Sequence, residues 1–355
     1  MTSLAQVRRA RREVSTTAAV VVLTGALLLS MAVAAGVGAV SIPLDTVFSV
    51  VARRLGLGSF DAVTVLEDQI VWQLRMPRVL GAAATGAGLA VVGAVLQSLT
   101  RNDLADPFLL GVSSGATVGA VAVLILGFSI AGLAGGAMLT VGAFIGAIAA
   151  LVVVVALATG RSGSLPPTRT VLAGVVVGQI CAAATAFIVI ASGQGDAARR
   201  VLSWTLGSMA GLRWPSAIFL AVVAVLAVLV IRSSARQLDA FAFGDSSARS
   251  LGVATERLRW LLLVGTALVT ACLVAYTGAI GFVGLVVPHV VRIICGPLHQ
   301  RLIPVAALAG AVLLVWADTL ARSVVAGQEI PIGVVTAAVG APIFAILLRR
   351  QARLS

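Results

Sequence analysis

Long stretches without a single charged residue alternate with short polar segments along the whole chain. They run over 14–44, 79–100, 107–160, 170–195 and 260–291, with shorter ones at 214–231, 302–317 and 330–348. A helix crossing a bilayer needs about 20 apolar residues, so most of these runs predict one spanning helix each. The run 107–160 is long enough for two, and Gly127, Gly132, Gly135 and Gly136 mark the turn between them. The run 260–291 is short for two crossings, yet Gly278, Gly281, Gly284 and Pro288 interrupt it. That pattern predicts a full helix followed by a short one ending at Pro288 and His289, where the histidine is expected to cap carbonyls freed by the break, with gating or substrate contact as the alternative role. The fold class is an all-α polytopic membrane protein of about ten spanning helices, organised as a single membrane domain over 1–355.

Inside lipid no water drives apolar surfaces together, so helix packing depends on small residues that let backbones approach. Gly111, Gly115 and Gly119 fall on one helix face, and the pairs Gly142/Gly146, Gly174/Gly178 and Gly207/Gly211 repeat the spacing. With Gly281, Gly284 and Pro288 they are the candidate packing and pathway positions.

Composition agrees with the pattern: 60% of the 355 residues are hydrophobic and 11% charged, and the mean hydropathy is +1.10. The net charge of +12 would suit nucleic acid, but the cations sit in short clusters between apolar runs rather than on one soluble face. They read as topology signals, with the lipid bilayer and not nucleic acid as the partner. Arginine clusters at 8–12 and at 349–353 place both termini in the cytoplasm by the positive-inside rule, so the number of spans is even. The loops at Arg101, at Arg161 and Arg169, at 232–259 and at Arg301 then face the cytoplasm, and 41–78, 194–213 and 318–329 face outward. Residues 1–13 form a cytoplasmic N-terminal segment, and the run after them is too long for a signal peptide. Two halves of five helices would lie inverted in the membrane, a pseudo-symmetric arrangement inferred from topology and only weakly echoed in sequence.

Candidate chemistry narrows the function. Gly111-Val112-Ser113-Ser114-Gly115 fits the nucleophile-elbow pattern of hydrolases, but it opens a membrane helix, no strand precedes it, and the only histidines are His289 and His299. An ion-coupled carrier usually keeps a carboxylate within the membrane, whereas the acidic residues here, Asp318 included, fall in loops or at helix ends. Cys181, Cys272 and Cys295 lack metal-ligand spacing and read as buried thiols. No metal site is expected. All 25 basic residues are Arg. A P-loop needs Lys to reach the phosphates, so an ATPase driving transport has to be a separate polypeptide that binds the ATP and Mg, and this chain carries no cofactor. The longest polar cytoplasmic stretch, 232–259, lies between spans 6 and 7. Within it Gly244 and Gly252 punctuate what reads as two short helices, either a docking surface or an ordinary solvated loop.

Several segments resemble, in order, the signatures of the FecCD-type permeases of ATP-binding-cassette (ABC) importers, the family that carries ferric siderophores, haem or cobalamin. They are Gln73-Leu74-Arg75-Met76-Pro77-Arg78, Arg101-Asn102-Asp103-Leu104-Ala105-Asp106-Pro107, Leu110-Gly111-Val112-Ser113-Ser114-Gly115, Gly207-Ser208-Met209-Ala210-Gly211, the 244–252 stretch, Gly281-Phe282-Val283-Gly284 through Pro288-His289, and Ile330-Pro331-Ile332-Gly333. Asp103, Leu298 and Gln300 around His299, and Tyr276-Thr277 depart from the family pattern.

The resemblance implies a multi-pass protein of the bacterial plasma membrane, not itself an enzyme. It implies a homodimer of ten-helix permeases, two cytoplasmic ATPase subunits below and an extracytoplasmic substrate-binding protein above, working by alternating access. Residue by residue, it assigns Gly244, Asp245, Ala248, Arg249, Leu251 and Gly252 to ATPase coupling. Arg75, Arg78 and Arg322 become docking points for acidic residues of the binding protein, against a rival reading in which Arg75 and Arg78 anchor a helix end at the headgroups. Asn102 and Asp106 are expected to cap the helix entering at Pro107. Ferric siderophore is the first choice of cargo, with haem and cobalamin next.

Overall fold

A computed structural model describes residues 15–351 apart from 39, 59–62, 128–134, 160–162, 242, 243 and 326. The expected segment 1–13, Gly132, Arg161 and Arg353 lie outside the described residues. Among the described residues every regular element is helical. In chain order these are α1 (Thr16–Gly36), α2 (Leu44–Arg54), α3 (Val65–Gln69), α4 (Met76–Thr100), α5 (Val112–Leu126), α6 (Gly135–Ala158), α7 (Pro167–Ala191), α8 (Ala197–Thr205), α9 (Trp214–Ser233), α10 (Ala235–Phe241), α11 (Asp245–Ser250), α12 (Thr255–Thr277), α13 (Val283–Cys295), α14 (His299–Ala321) and α15 (Ile332–Gln351). A π-helical stretch, Ile70–Arg75, joins α3 to α4, and a 3-10 turn, Pro107–Leu110, leads into α5.

Among the described residues seven helices are long and apolar enough to cross a membrane, and Val112–Leu126, Val283–Cys295 and Ile332–Leu347 are shorter apolar helices. The anticipated ten is reached only by counting all three short ones. The run 107–160 does divide into two helices, α5 and α6. The run 260–291 divides where its glycines sit: α12 stops at Gly278 (φ +70°) and α13 begins after Phe282, which holds a left-handed conformation (φ +68°) uncommon outside glycine.

α13 nevertheless corrects the sequence reading, because Pro288 and His289 do not end it and the helix runs on to Cys295. Proline removes the N–H that would bond the carbonyl four residues earlier, here that of Gly284. Gln97 of α4 supplies the missing donor, its Nε2 giving hydrogen bonds to Leu285 O at 3.0 Å and Gly284 O at 3.5 Å. Among the described residues His289 caps no carbonyl: it is buried, its ring meets Phe344 edge-on with centroids 6.4 Å apart, and its Nδ1 lies 3.9 Å from Asp103.

The bundle is built around α4, most of whose length is buried. It packs against α9, α12, α13 and α14 through clusters that include Leu89, Val91, Val95, Leu273, Ile303 and Leu314. Backbone meets backbone where glycines face each other: a Cβ added to Gly93 would lie 1.9 Å from Gly284 O, and one on Gly119 would lie 2.0 Å from Gly142 O. Thus Gly115 and Gly119 of α5 pack on Gly142 and Gly146 of α6, as the spacing predicts. Gly111 (φ +69°) turns the chain into α5 beside Gly174, and Gly281 touches the Phe108 ring. The pair Gly207/Gly211 is different. Gly207 (φ +75°) lies past the end of α8 against the carbonyls of Thr277 and Ala279, and Gly211 faces open space, so neither belongs to a helix-packing face. The three thiols are free, with Cys295 buried and the other two half-buried.

Candidate functional site

Polar groups gather at the two ends of the bundle. Arg75 and Arg78 stand at the N-terminal end of α4 and Arg101 at its C-terminal end, and each end collects one of the two loop sets separated by the charge pattern.

At the end bearing Arg101, the chain between Ser233 and Thr255 forms α10 and α11. Leu238 and Phe241 of α10 are fully buried against Val91, Val95 and Leu99 of α4, Leu258 and Leu262 of α12 and Ile303 of α14. The stretch is therefore two short helices, the first of them a wedge in the core. Gly244 (φ +95°) and Gly252 (φ +82°) bracket α11 in conformations that other residues rarely adopt. Ala248 is buried beneath it.

Asp245 opens α11 and holds it down. Its Oδ1 accepts from Arg101 at 2.5 Å and its Oδ2 from Arg259 at 2.8 Å, so one carboxylate joins α11 to α4 and α12. Arg259 is buried, also pairs with Glu256 at 3.3 Å, and lies over the Phe241 ring at 5.5 Å. Asp245 thus acts inside the chain as a clamp. The outward face consists of Ser246, Ser247, Arg249, Ser250 and Leu251. Leu251 is 68% exposed, and Arg249 has no partner among the described residues. Beside them a cleft of about 490 Å³ opens between α10 and α12, lined by Gln237, Leu251, Arg257 and Leu261.

A second connection escaped the sequence reading. His299, the first residue of α14, has its Nδ1 2.6 Å from Asp239 Oδ1 in α10 and its Nε2 2.6 Å from Ser98 Oγ in α4. The His299 backbone N–H also donates to Asp239 Oδ1 at 2.9 Å, so Asp239 caps α14. The order Ser–His–Asp is that of a hydrolase, but Ser98 Oγ lies 3.0 Å from Ala94 O of its own helix, and the group joins three packed helices. The hydroxyl of Ser113, the residue of the elbow-like pattern, is buried without a hydrogen-bond partner among the described residues.

The α4–α5 connection completes this end. Asp103, a departure from the family pattern, pairs with Arg292 of α13 at 2.6 Å. Asp106 caps the turn at Pro107, accepting from Phe108 N at 2.9 Å, and burial pushes its carboxyl up to about 6. Asn102 serves the loop instead, accepting from Leu104 N.

At the opposite end, Arg75, Arg78 and Arg322 line a recess of about 900 Å³ together with Arg213, Leu74 and Glu329. The sequence reading treated them as exposed charges, and in this respect the structure differs. Arg75 is buried and donates to Ala35 O at 2.9 Å, Gly36 O at 2.7 Å and Val40 O. Arg78 grips Asp318 through Nε and Nη2 at 2.9–3.0 Å and Glu329 through Nη1 at 2.8 Å. Arg322 donates to Ala34 O at 2.5 Å, with its Nε 3.6 Å from Asp318. Asp318, expected at a helix end, sits inside the last turn of α14 at 1% exposure between two guanidinium groups. Nothing in the spacing announces a pair 240 residues apart.

The model of the FecCD transport family matches residues 26–350. The chain is 36% identical to an uncharacterized ABC transporter permease protein, YvrB, of Bacillus subtilis over 92% of each chain. It is 42% identical to the cobalamin import system permease protein BtuC of Halobacterium salinarum over 79% of this chain and 73% of the relative. It is 40% identical to the vitamin B12 import system permease protein BtuC of Salmonella paratyphi A over 87% of this chain and 93% of the relative. Among solved structures, an inward-facing transporter assigned to the metal-chelate type of ABC transporters superposes with a TM-score of 0.78 at 28% identity, covering 93% of this chain and 98% of the other. A family match that takes in both polar ends and the helices between them settles the class: the chain belongs to the FecCD transport family and is the membrane-spanning permease subunit of an ABC importer, a multi-pass protein of the plasma membrane.

Proposed function

We propose that two copies of this chain form the conduit of an importer for cobalamin or a closely related corrinoid, taken from a binding protein outside and released inside. Two ATPase subunits seated on α11 would drive it. The cargo reading rests on relatives named as cobalamin permeases at 40–42% identity, which moves cobalamin ahead of the ferric siderophore favoured from sequence.

The observation that carries the coupling assignment is the clamped geometry of α11. A helix whose own carboxylate is spent on Arg101 and Arg259, while Arg249, Leu251 and three serines face outward, is built to receive force and pass it on. Closure of the ATPase pair on ATP and Mg would displace α11, and the clamp would carry that displacement into α4 and α12 as a rigid-body shift. At the outer recess, Arg78 is held by the buried Asp318 and by Glu329, whose side chain is 48% exposed. An acidic side chain of the binding protein would take Glu329's place on Arg78, and Arg75, Arg213 and Arg322 would supply the surrounding positive field, setting register and encounter rate.

The test is ATP-dependent uptake into liposomes holding the permease, its ATPase and its binding protein, with cyanocobalamin and a ferric hydroxamate compared side by side. Corrinoid uptake is expected. Uptake of the ferric chelate alone would overturn the cargo assignment, and coupled transport unchanged by Arg249→Glu would overturn the role of α11.

A further inference from the structure

α9 and α12 pack side by side and leave a groove of about 300 Å³ between them, lined by aliphatic side chains together with Thr266 and Cys272. Thr266 turns its hydroxyl onto Leu262 O of its own helix at 2.7 Å, so it offers the groove little polarity. Leu226, Val230, Leu261 and Leu268 stand exposed on the rims. On α12 the lining residues Leu261, Gly265, Leu268 and Cys272 recur every three or four positions, along one face. A Cβ added at Gly265 would meet nothing within 4 Å, so the groove is open there. From Leu261 to Cys272 the face is about 16 Å long at ~1.5 Å per residue, close to the ~15 Å of hydrocarbon in one leaflet.

The groove does not end at Leu261. That residue also lines the cleft of about 490 Å³ at the cytoplasmic ends of these helices, so the two spaces adjoin. One turn before Leu261 the same face of α12 carries Arg257, and one turn past Val230 the chain of α9 reaches Ser234; both line the cleft, with Gln237 of α10. Arg257 is exposed and has no partner among the described residues. The nearby carboxylates are already engaged: Asp239 with His299, Asp245 with Arg101 and Arg259, and Glu256 with Arg259. Arg232, Arg236 and Arg249, like Arg257, pair with no acidic group among the described residues, which leaves this corner electropositive. Two facing helix surfaces therefore change together from hydrocarbon to cationic, over the depth of a single leaflet.

We propose that α9 and α12 form a binding site for one anionic phospholipid of the cytoplasmic leaflet, with an acyl chain in the groove and the phosphate on Arg257 in the cleft. A guanidinium meets a phosphate through two parallel hydrogen bonds, and Ser234 and Gln237 supply neutral partners for the glycerol and headgroup oxygens. The lipid would rest against the linker 251–254 that joins α11 to α12. The site is independent of which solute the importer carries.

The test uses the complete complex, permease with its ATPase, in nanodiscs of phosphatidylcholine. These contain a small fraction of phosphatidylglycerol or of phosphatidylcholine, each with a diazirine on its acyl chain, and cross-linked peptides are mapped by mass spectrometry. Phosphatidylglycerol is expected to label 223–231 and 261–272 at least about fivefold more than phosphatidylcholine does, the worth of one basic residue at an anionic lipid. The outward face of α6, at Ile145 and Val152, should label equally with both and serves as the control. Arg257→Gln should abolish the preference and Arg257→Lys keep most of it. Gly265→Leu, which fills the groove, should cut labelling there at least about threefold without changing that of α6. Equal labelling of the groove by the two lipids would reduce it to ordinary boundary lipid and overturn the site. A preference that survives Arg257→Gln would overturn the headgroup assignment. Labelling seen in the isolated permease but lost in the complex would show that the ATPase covers the cleft, and would overturn the lipid as its occupant.

Discussion

Replacing Asp318 with Asn removes the buried negative charge shared by Arg78 and Arg322 at the outer end of the bundle. The carboxylate is 2% exposed and the two arginine side chains are 11% and 6% exposed, so water cannot replace what is lost. Removing one partner of a buried ion pair costs about 3–5 kcal/mol, because the survivor is left charged and unpaired. Glu329 still holds Arg78 Nη1 and Ala34 O still accepts from Arg322, which places this case at the lower end of that range. With an unfolding entropy of roughly 2.1 cal/mol/K per residue scaled to this length, the apparent melting midpoint should fall by about 4 °C. The assay is the fraction of monodisperse purified protein surviving a ten-minute heat step, at low and at high salt. A surface pair would be screened by salt and a buried one hardly at all, so the deficit should persist in both. An unchanged midpoint, or a deficit that vanishes in salt, would show that Asp318 is not the keystone of the arginine cluster.

Gly93→Ala and Gly265→Ala should move stability in opposite directions in the same heat assay. The first drives a methyl into Gly284 O and should cost about 1–3 kcal/mol, whereas the second meets nothing within 4 Å inside α12 and should gain up to about 1 kcal/mol. Asp106 has a folded pKa of about 6, above its unfolded value, so the folded state binds the extra proton and stability drops as pH rises through that interval. Asp106→Asn, which can still cap Phe108, should therefore melt higher than wild type at pH 7.5, with the gap closing as pH falls to about 4; a pH-independent gap would contradict this. His299→Gln and Asp239→Asn should each lower transport per ATP hydrolysed and show strong non-additivity in the double variant, because they interrupt one connection. Additive losses would mean that the two residues act separately.

How much of this was legible in sequence follows from how local each cause is. The break between α12 and α13, the division of 107–160 and the glycine pairing of α5 with α6 depend on residues close together, and periodicity and glycine spacing report them. The continuation of α13 past Pro288 depends on a donor 188 residues upstream, so a local reading ends the helix at the proline. The same holds for the arginines: their chemistry marks them as special, but Asp318 and the carbonyls at the end of α1 that occupy them are invisible along the chain. Asp239 and His299 are 60 residues apart, and only the packing of α10 against α14 shows that they belong to one site. Gly207 and Gly211 show the reverse error, since a four-residue spacing means helix packing only if both residues are in a helix.

The clamp on α11 also has a consequence in the order of synthesis. The anchors of α10 and α11 together are spread along the chain: Ser98 and Arg101 come early, Asp239 and Asp245 in the middle, and Arg259 and His299 later. While a ribosome is still making the chain, α10 and α11 emerge with half of their anchors not yet translated. The α10–α11 unit gains its last anchor, His299, only with α14, so a chain that stops before α14 would lack part of what holds the face proposed for the ATPase.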